Sequence, residues 1–220
     1  MLTLAPAMER AQRLELFGGV VLCGGSSRRM GADKADLVLE DGTSFLERAV
    51  ELARSCCGEV VLACGPGPRH AELGLPLAVD GVADGGPLAG LAAGLRALDR
   101  EWCVALPLDM PRLVPRVLEA LQDRAREQAL DACFLVGDRG REPLCAVYGR
   151  RALPAMEAAL LAGERRVVSF LEPAHGDQDL CVGELSLCEV FPEGGDPTCL
   201  MNVNTPDDLA RLRDQQAPQP

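Results

Sequence analysis

An α/β fold with a mainly parallel sheet and helices on both faces is predicted for this chain of 220 residues. Two observations predict it. Short apolar runs that end in Gly, Pro or Asp alternate with longer segments of helical spacing, the pattern of strands joined by crossover helices. Hydrophobic residues make up 48% of the sequence, enough for the core of one sizeable domain, while aromatics at 3% leave Leu, Val and Ala to build it.

The elements follow in order. Residues 1–17 mix apolar and charged side chains without the basic start and apolar block of a signal peptide, and read as a frayed or weakly helical extension. "GGVVL" (18–22), "EVVLACG" (59–65), "LPLAVD" (75–80) and "WCVALPLD" (102–109) read as buried strands. "TSFLERAVELARSC" (43–56) carries apolar residues at helical spacing behind a Thr43 or Ser44 cap, with Glu47 placed for a capping box. "GPLAGLAAGLRALDR" (86–100) opens with proline in the first turn, where its missing N–H costs nothing. "VPRVLEALQDRAREQA" (114–129) is amphipathic. Beyond Asp131 the pattern loosens: "DACFLVG" and "PLCAVYG" read as strands, "LPAMEAALLAGERR" as a helix, and 172–198 as loop with one strand in "GELSLCEVF". A final helix in "TPDDLARLRDQ" has Thr205 as cap and Pro206 at its first position. The domain is expected at 18–212, with a tail at 213–220.

The formal net charge of −11 argues against nucleic-acid partners, because an acidic surface repels a phosphate backbone. No apolar run approaches the ~18 residues of a membrane span, so no membrane partner is expected. The ten cysteines show no C-x-x-C and no metal-ligand spacing, and several lie in apolar runs. They read as reduced core thiols of a cytoplasmic protein, with the adjacent Cys56-Cys57 pair the one place to look for redox chemistry. His70 and His175 read as surface residues.

The stretch "LCGGSSRRMGADKADL" (22–37) concentrates the chemistry. Its glycines do not fit G-x-x-x-x-G-K-[ST], since Lys34 stands three residues beyond Gly31 and is followed by Ala35. They do not fit the dinucleotide fingerprint either, because Gly24 and Gly25 are adjacent. Paired glycines nonetheless let backbone N–H groups approach a polyphosphate, and Arg28, Arg29 and Lys34 add positive charge. Each cation ~4 Å from a phosphate charge is worth about 4 kcal/mol before desolvation at an effective dielectric of ~20. Asp109 ends a strand on the same rim and is the best metal candidate on chemistry alone.

These residues resemble the molybdenum cofactor guanylyltransferases, whose loop usually runs L-A-G-G-x-S-x-R-M-G-x-D-K. "GPLAGL" (86–91), "LPLDMPRL" (106–113), "EPLCAVY" (142–148), "LLAGERRVVSFLE" (160–172) and "NVNTPDDL" (202–209) match in the same order, so the resemblance spans about Gly18 to Leu209. It implies a three-layer αβα, Rossmann-like nucleotidyltransferase that moves GMP from GTP to the phosphate of molybdopterin or the molybdenum cofactor. It also implies transient contact with other proteins of cofactor synthesis. By motif position Leu22, Cys23, Gly24, Gly25, Gly31 and Asp80 are expected at the nucleotide, and Lys34 at its phosphates. Gly86 and Gly90 are expected to permit close approach. Asp109 is expected to hold Mg²⁺, and Arg28 or Arg29 to assist Lys34 in catalysis. Asn202 and Asn204 are expected at the metal or the acceptor phosphate, or equally as a turn before the last helix.

The departures are Cys23 for alanine, Ala63 where asparagine is usual, Leu108 for the cysteine before Asp109, and Glu142 where histidine often precedes Pro143. They bear on base selectivity rather than on the reaction. Three alternatives remain: a cytidylyltransferase of the same cofactor, which resembles L-A-A-G and lacks "GPLAG"; a sugar-phosphate or isoprenoid-precursor nucleotidyltransferase; and a catalytically silent protein that delivers the cofactor.

Overall fold

The computed structural model describes residues 9–24, 33–82, 84–137, 140–175, 179–194 and 196–214. The predicted α/β architecture is present. A seven-stranded sheet has the order β3-β2-β1-β4-β6-β5-β7, formed by β1 (Phe17–Leu22), β2 (Glu59–Gly65), β3 (Leu77–Val79), β4 (Trp102–Pro107), β5 (Ala132–Gly137), β6 (Gly140–Gly149) and β7 (Val182–Ser186). β1, β2, β3 and β4 pair in parallel, as do β5 and β7, whereas β6 runs antiparallel to both neighbours. β5 and β6 lie too close in sequence for a crossover, so they can pair only as an antiparallel hairpin.

Alternation along each strand divides the core in two. Val21, Leu62, Val104 and Leu106 pack beneath α2 (Phe45–Cys56) and α4 (Pro115–Glu127). Val20, Val61, Cys103 and Ala105 pack beneath α3 (Gly86–Ala97) and α5 (Leu153–Leu161) on the other face. The result is three layers, helix on sheet on helix. α2 begins as its sequence predicts: Ser44 and Glu47 form the reciprocal capping box. The strand expected in "GELSLCEVF" is β7, and it stops at Ser186, where a second capping box with Glu189 starts the short α6 (Leu187–Val190). The last helix, α7 (Pro206–Asp214), carries Thr205 at its start as predicted.

Two expectations are sharpened by the structure. Of the two readings of the N-terminal stretch, frayed or weakly helical, the helical one holds over α1 (Arg10–Leu16), which runs straight into β1. Arg13 is buried, donating to the Glu119 carbonyl at 2.9 Å and to Asp123 Oδ2 at 2.8 Å, so α1 is tied to α4 by a charge-assisted contact. The histidines are half-buried rather than fully at the surface: the side chains of His70 and His175 are only 11% and 9% exposed.

The cysteines are all free, and eight of the ten are buried. The side-chain hydrogen bond with Cys56, and then burial, push the Cys57 thiol well up, while the same contact lowers that of Cys56. No helix among the described residues is long and apolar enough to cross a membrane.

The α3–β1 contact is close enough to test. A Cβ on Gly94 would meet Val20 Cγ1 at 2.5 Å. Gly94→Ala is therefore expected to destabilise by about 1–3 kcal/mol through overpacking, despite alanine's better helix propensity. Chemical denaturation checks it; an unchanged or raised midpoint contradicts the packing.

Candidate active site

The chain order around β1 creates a crevice. β2 and β3 extend the sheet on one side of β1, while β4 returns to its other side, so the direction of winding reverses between β1 and β4. Ligands of open α/β sheets bind beyond the carboxyl ends of the strands at such a point. Leu22 is level with Pro107 in the β1–β4 register, so the segments that begin at Cys23 and at Leu108 leave the sheet at the same rim.

Lys34 reaches this point from the signature segment. It opens a single 3₁₀ turn, Lys34–Asp36, whose cap is Asp33; the Asp33 carboxylate accepts from the Ala35 N–H at 3.1 Å. Ala35 is buried in the core, which pins the turn. Lys34 Nζ lies 3.8 Å from Asp109 Oδ2 and donates to Asn204 Oδ1 at 2.8 Å. Asn204 is brought there by two backbone devices. The Val203 N–H donates to the Asp109 carbonyl at 2.8 Å, and Asp208 Oδ2 accepts from the N–H groups of Asn204 and Thr205, both at 3.0 Å. Those donors hold the Asp208 carboxyl below its ordinary range. Asn202 makes no side-chain hydrogen bond among the described residues, so Asn204 alone of the two joins Lys34.

A second group gathers at the ends of β1, β2 and β3. A Cβ on Gly90 of α3 would lie 3.4 Å from Leu22, 3.6 Å from Ala63 and 3.9 Å from Asp80 Oδ2. Asp80 is held by its N–H to the Gly65 carbonyl at 3.0 Å, and burial raises its carboxyl above the ordinary value. Gly86 starts α3 with φ +65°, and a Cβ there would stand 3.0 Å from the Arg165 carbonyl. The "GPLAG" and "GERR" motifs thus meet, a contact the sequence reading did not anticipate.

Gly24 needs to be glycine for a different reason from the one expected. Its N–H, and that of Cys23, donate to the Ala63 carbonyl at 2.8 and 3.0 Å rather than pointing at a ligand. A Cβ at Gly24 would sit 2.4 Å from the Gly65 nitrogen, so the glycine lets the end of β1 approach the end of β2. Cys23 is buried, and its thiol is pushed up to about 12, chiefly by that burial. Gly25, Arg28, Arg29 and Gly31 lie outside the described residues. Asp33 and Arg69, which form an ion pair, are the neighbours of this site that the sequence reading missed. An aspartate ahead of a short turn was a signal for the first; nothing marked the second.

Residues 19–178 match the MobA-like NTP transferase domain. The chain belongs to this family. The transferase is 35% identical over 209 residues to a protein of a Nostoc species named "Probable molybdenum cofactor guanylyltransferase", covering 91% of this chain and 94% of that one. It is 33% identical to the molybdenum cofactor guanylyltransferase of Pseudomonas entomophila, over 76% of this chain and 93% of the relative. Its fold superposes on the molybdopterin-guanine dinucleotide biosynthesis protein A of Archaeoglobus fulgidus with a TM-score of 0.76 at 29% identity, covering 92% of this chain and all of that one. The three-layer nucleotidyltransferase fold and the enzyme class read from the sequence are both borne out.

Asp80 offers a test with a definite sign. Its carboxyl titrates higher in the folded chain than the ordinary 3.8, so its ionised form opposes folding from that pH upward, and the penalty vanishes below it. Asp80→Asn is expected to raise the unfolding midpoint at pH 7 and to leave it unchanged near pH 3. Thermal melts at the two pH values check both; a lower midpoint at pH 7 contradicts the buried-carboxylate account.

Proposed function

We propose that this transferase joins the GMP moiety of GTP to the phosphate of molybdopterin or its molybdenum form, forming the guanine dinucleotide and releasing pyrophosphate. The observation that carries the reading is the meeting of Lys34, Asp109 and Asn204 at the β1–β4 crevice, in a chain whose relatives are named for this reaction. In the step itself an acceptor phosphate oxygen bonds to the α-phosphorus of GTP while the bond to the β-phosphate oxygen breaks. The acceptor oxygen is already anionic, so no side chain need remove a proton. What the residues supply is position and charge.

Lys34 places its ammonium where negative charge grows on the transferring phosphoryl group and the departing pyrophosphate. Arg28 or Arg29 joins it there. Leu22, Cys23, Gly24, Gly25, Gly31, Asp80, Gly86 and Gly90 are assigned to the guanine nucleotide, with Asp80 as the buried acceptor for its polar groups. Asn204, with Asn202 beside it, is assigned to the acceptor phosphate.

The donor set at the crevice suits a hard divalent ion: one carboxylate from Asp109 and an amide oxygen from Asn204, with phosphates and water to complete its shell. Asp109 would hold Mg²⁺, which when bound neutralises charge on the phosphate oxygens. A nucleoside triphosphate substrate and eight buried free thiols suit a reducing cytoplasm, and 18–212 is taken as the catalytic domain.

Lys34→Ala and Asp109→Ala are each expected to lower transfer by at least a hundredfold with the unfolding midpoint within a few degrees of the parent. The assay supplies molybdopterin, Mg²⁺ and GTP, CTP or ATP in turn, and identifies the dinucleotide formed. Guanine product with pyrophosphate is the expected result. A cytosine product, or full activity in either variant, overturns the assignment.

A further inference from the structure

Among the 22 basic residues of this chain Lys34 is the single lysine; all others are arginine. Lysine differs from arginine in being a compact point charge on a flexible stem, so its usefulness depends on where its backbone is fixed. Downstream the fixing is plain: the Leu37 carbonyl accepts from the N–H of Phe45, the first residue of α2, at 2.8 Å. Upstream, the tie among the described residues is the ion pair between the Asp33 carboxylate and the Arg69 guanidinium. Arg69 is itself held to the sheet, because its carbonyl accepts from Cys64 Sγ of β2 at 3.2 Å. β2 in turn meets the start of the signature segment through the Gly24–Gly65 contact.

We propose that Arg69 is a positioning residue for the transfer step: it holds Asp33, and through Asp33 the turn that aims the Lys34 ammonium at Asp109 and Asn204. The proposal rests on the nucleotidyl-transfer reading above in assigning Lys34 to the phosphates. Two physical effects combine. The guanidinium orients the Asp33 carboxylate that caps the Lys34 turn. It also neutralises an anion one residue from Lys34, which would otherwise compete for the ammonium. Arg69 acts through Asp33, the carboxylate its guanidinium meets.

The single lysine makes the test direct. Reductive methylation with ¹³C-formaldehyde labels Lys34 and the α-amino terminus only, so one ε-dimethyl NMR signal reports the ammonium's surroundings. In the full-length parent this signal is expected away from the position of solvent-exposed dimethyl-lysine. In Arg69→Ala, and equally in Asp33→Asn, it is expected to move to that position. In unlabelled protein Arg69→Ala is expected to lower kcat about tenfold with the Kd for GTP within threefold of the parent. Arg69→Lys is expected to recover part of the loss, and Arg69→Ala added to Lys34→Ala to cause no further fall.

An unmoved Lys34 signal in both folded variants overturns the proposal, and so does a loss carried mainly by GTP affinity, which would make Arg69 a direct ligand. Should Arg69→Ala fail to fold by thermal melt, Asp33→Asn alone decides. If the parent forms no guanine dinucleotide, the functional reading fails, while the NMR signal still decides the brace.

Discussion

The structure turns on the placement of one ammonium group. Lys34 stands 2.8 Å from Asn204 Oδ1 and 3.8 Å from Asp109 Oδ2, so segments 170 residues apart in the chain converge on a single point. In a molecule of net charge −11 that arrangement cannot come from a general basic field. It has to be built locally, by fixing one cation beside the carboxylate with which it shares the site. The parallel pairing of β1 with β4 does the building, because it sets the signature segment and Asp109 on the same rim.

The backbone carries most of the construction. Val203 bonds to the Asp109 carbonyl, Asp208 gathers the N–H groups of Asn204 and Thr205, and Asp33 caps the turn of Lys34. Each side chain at the crevice thus projects from a peptide unit held by a hydrogen bond of its own. Such preorganisation matters for a reaction in which the acceptor is already nucleophilic and the protein contributes mainly geometry and charge. The cost is visible at Asp80, whose burial opposes the ionised form it would use.

Much of the fold was legible along the chain. "GGVVL", "EVVLACG" and "WCVALPLD" announce β1, β2 and β4 by unbroken apolar runs, because central parallel strands are buried on both faces. The capping box of Ser44 and Glu47 and the proline of α3 are local signals whose geometry closes within one turn. What could not be read was pairing at a distance. The burial of Arg13 depends on α4, more than a hundred residues away, and the antiparallel insertion of β6 between β4 and β5 is a matter of sheet order. The Asp33–Arg69 pair is of the same kind.

The sequence by itself determined the α/β class, the position of nearly every element, and the residue types from which a phosphate site can be made. Periodicity and capping act over a few residues, so the linear order contains them. Tertiary structure alone decided that Asn204 rather than Asn202 meets Lys34. It also decided that Gly24 is needed for contact with Gly65 and that "GPLAG" touches "GERR". Those outcomes depend on which strands lie side by side and in what register, and that is settled only when the whole core packs at once.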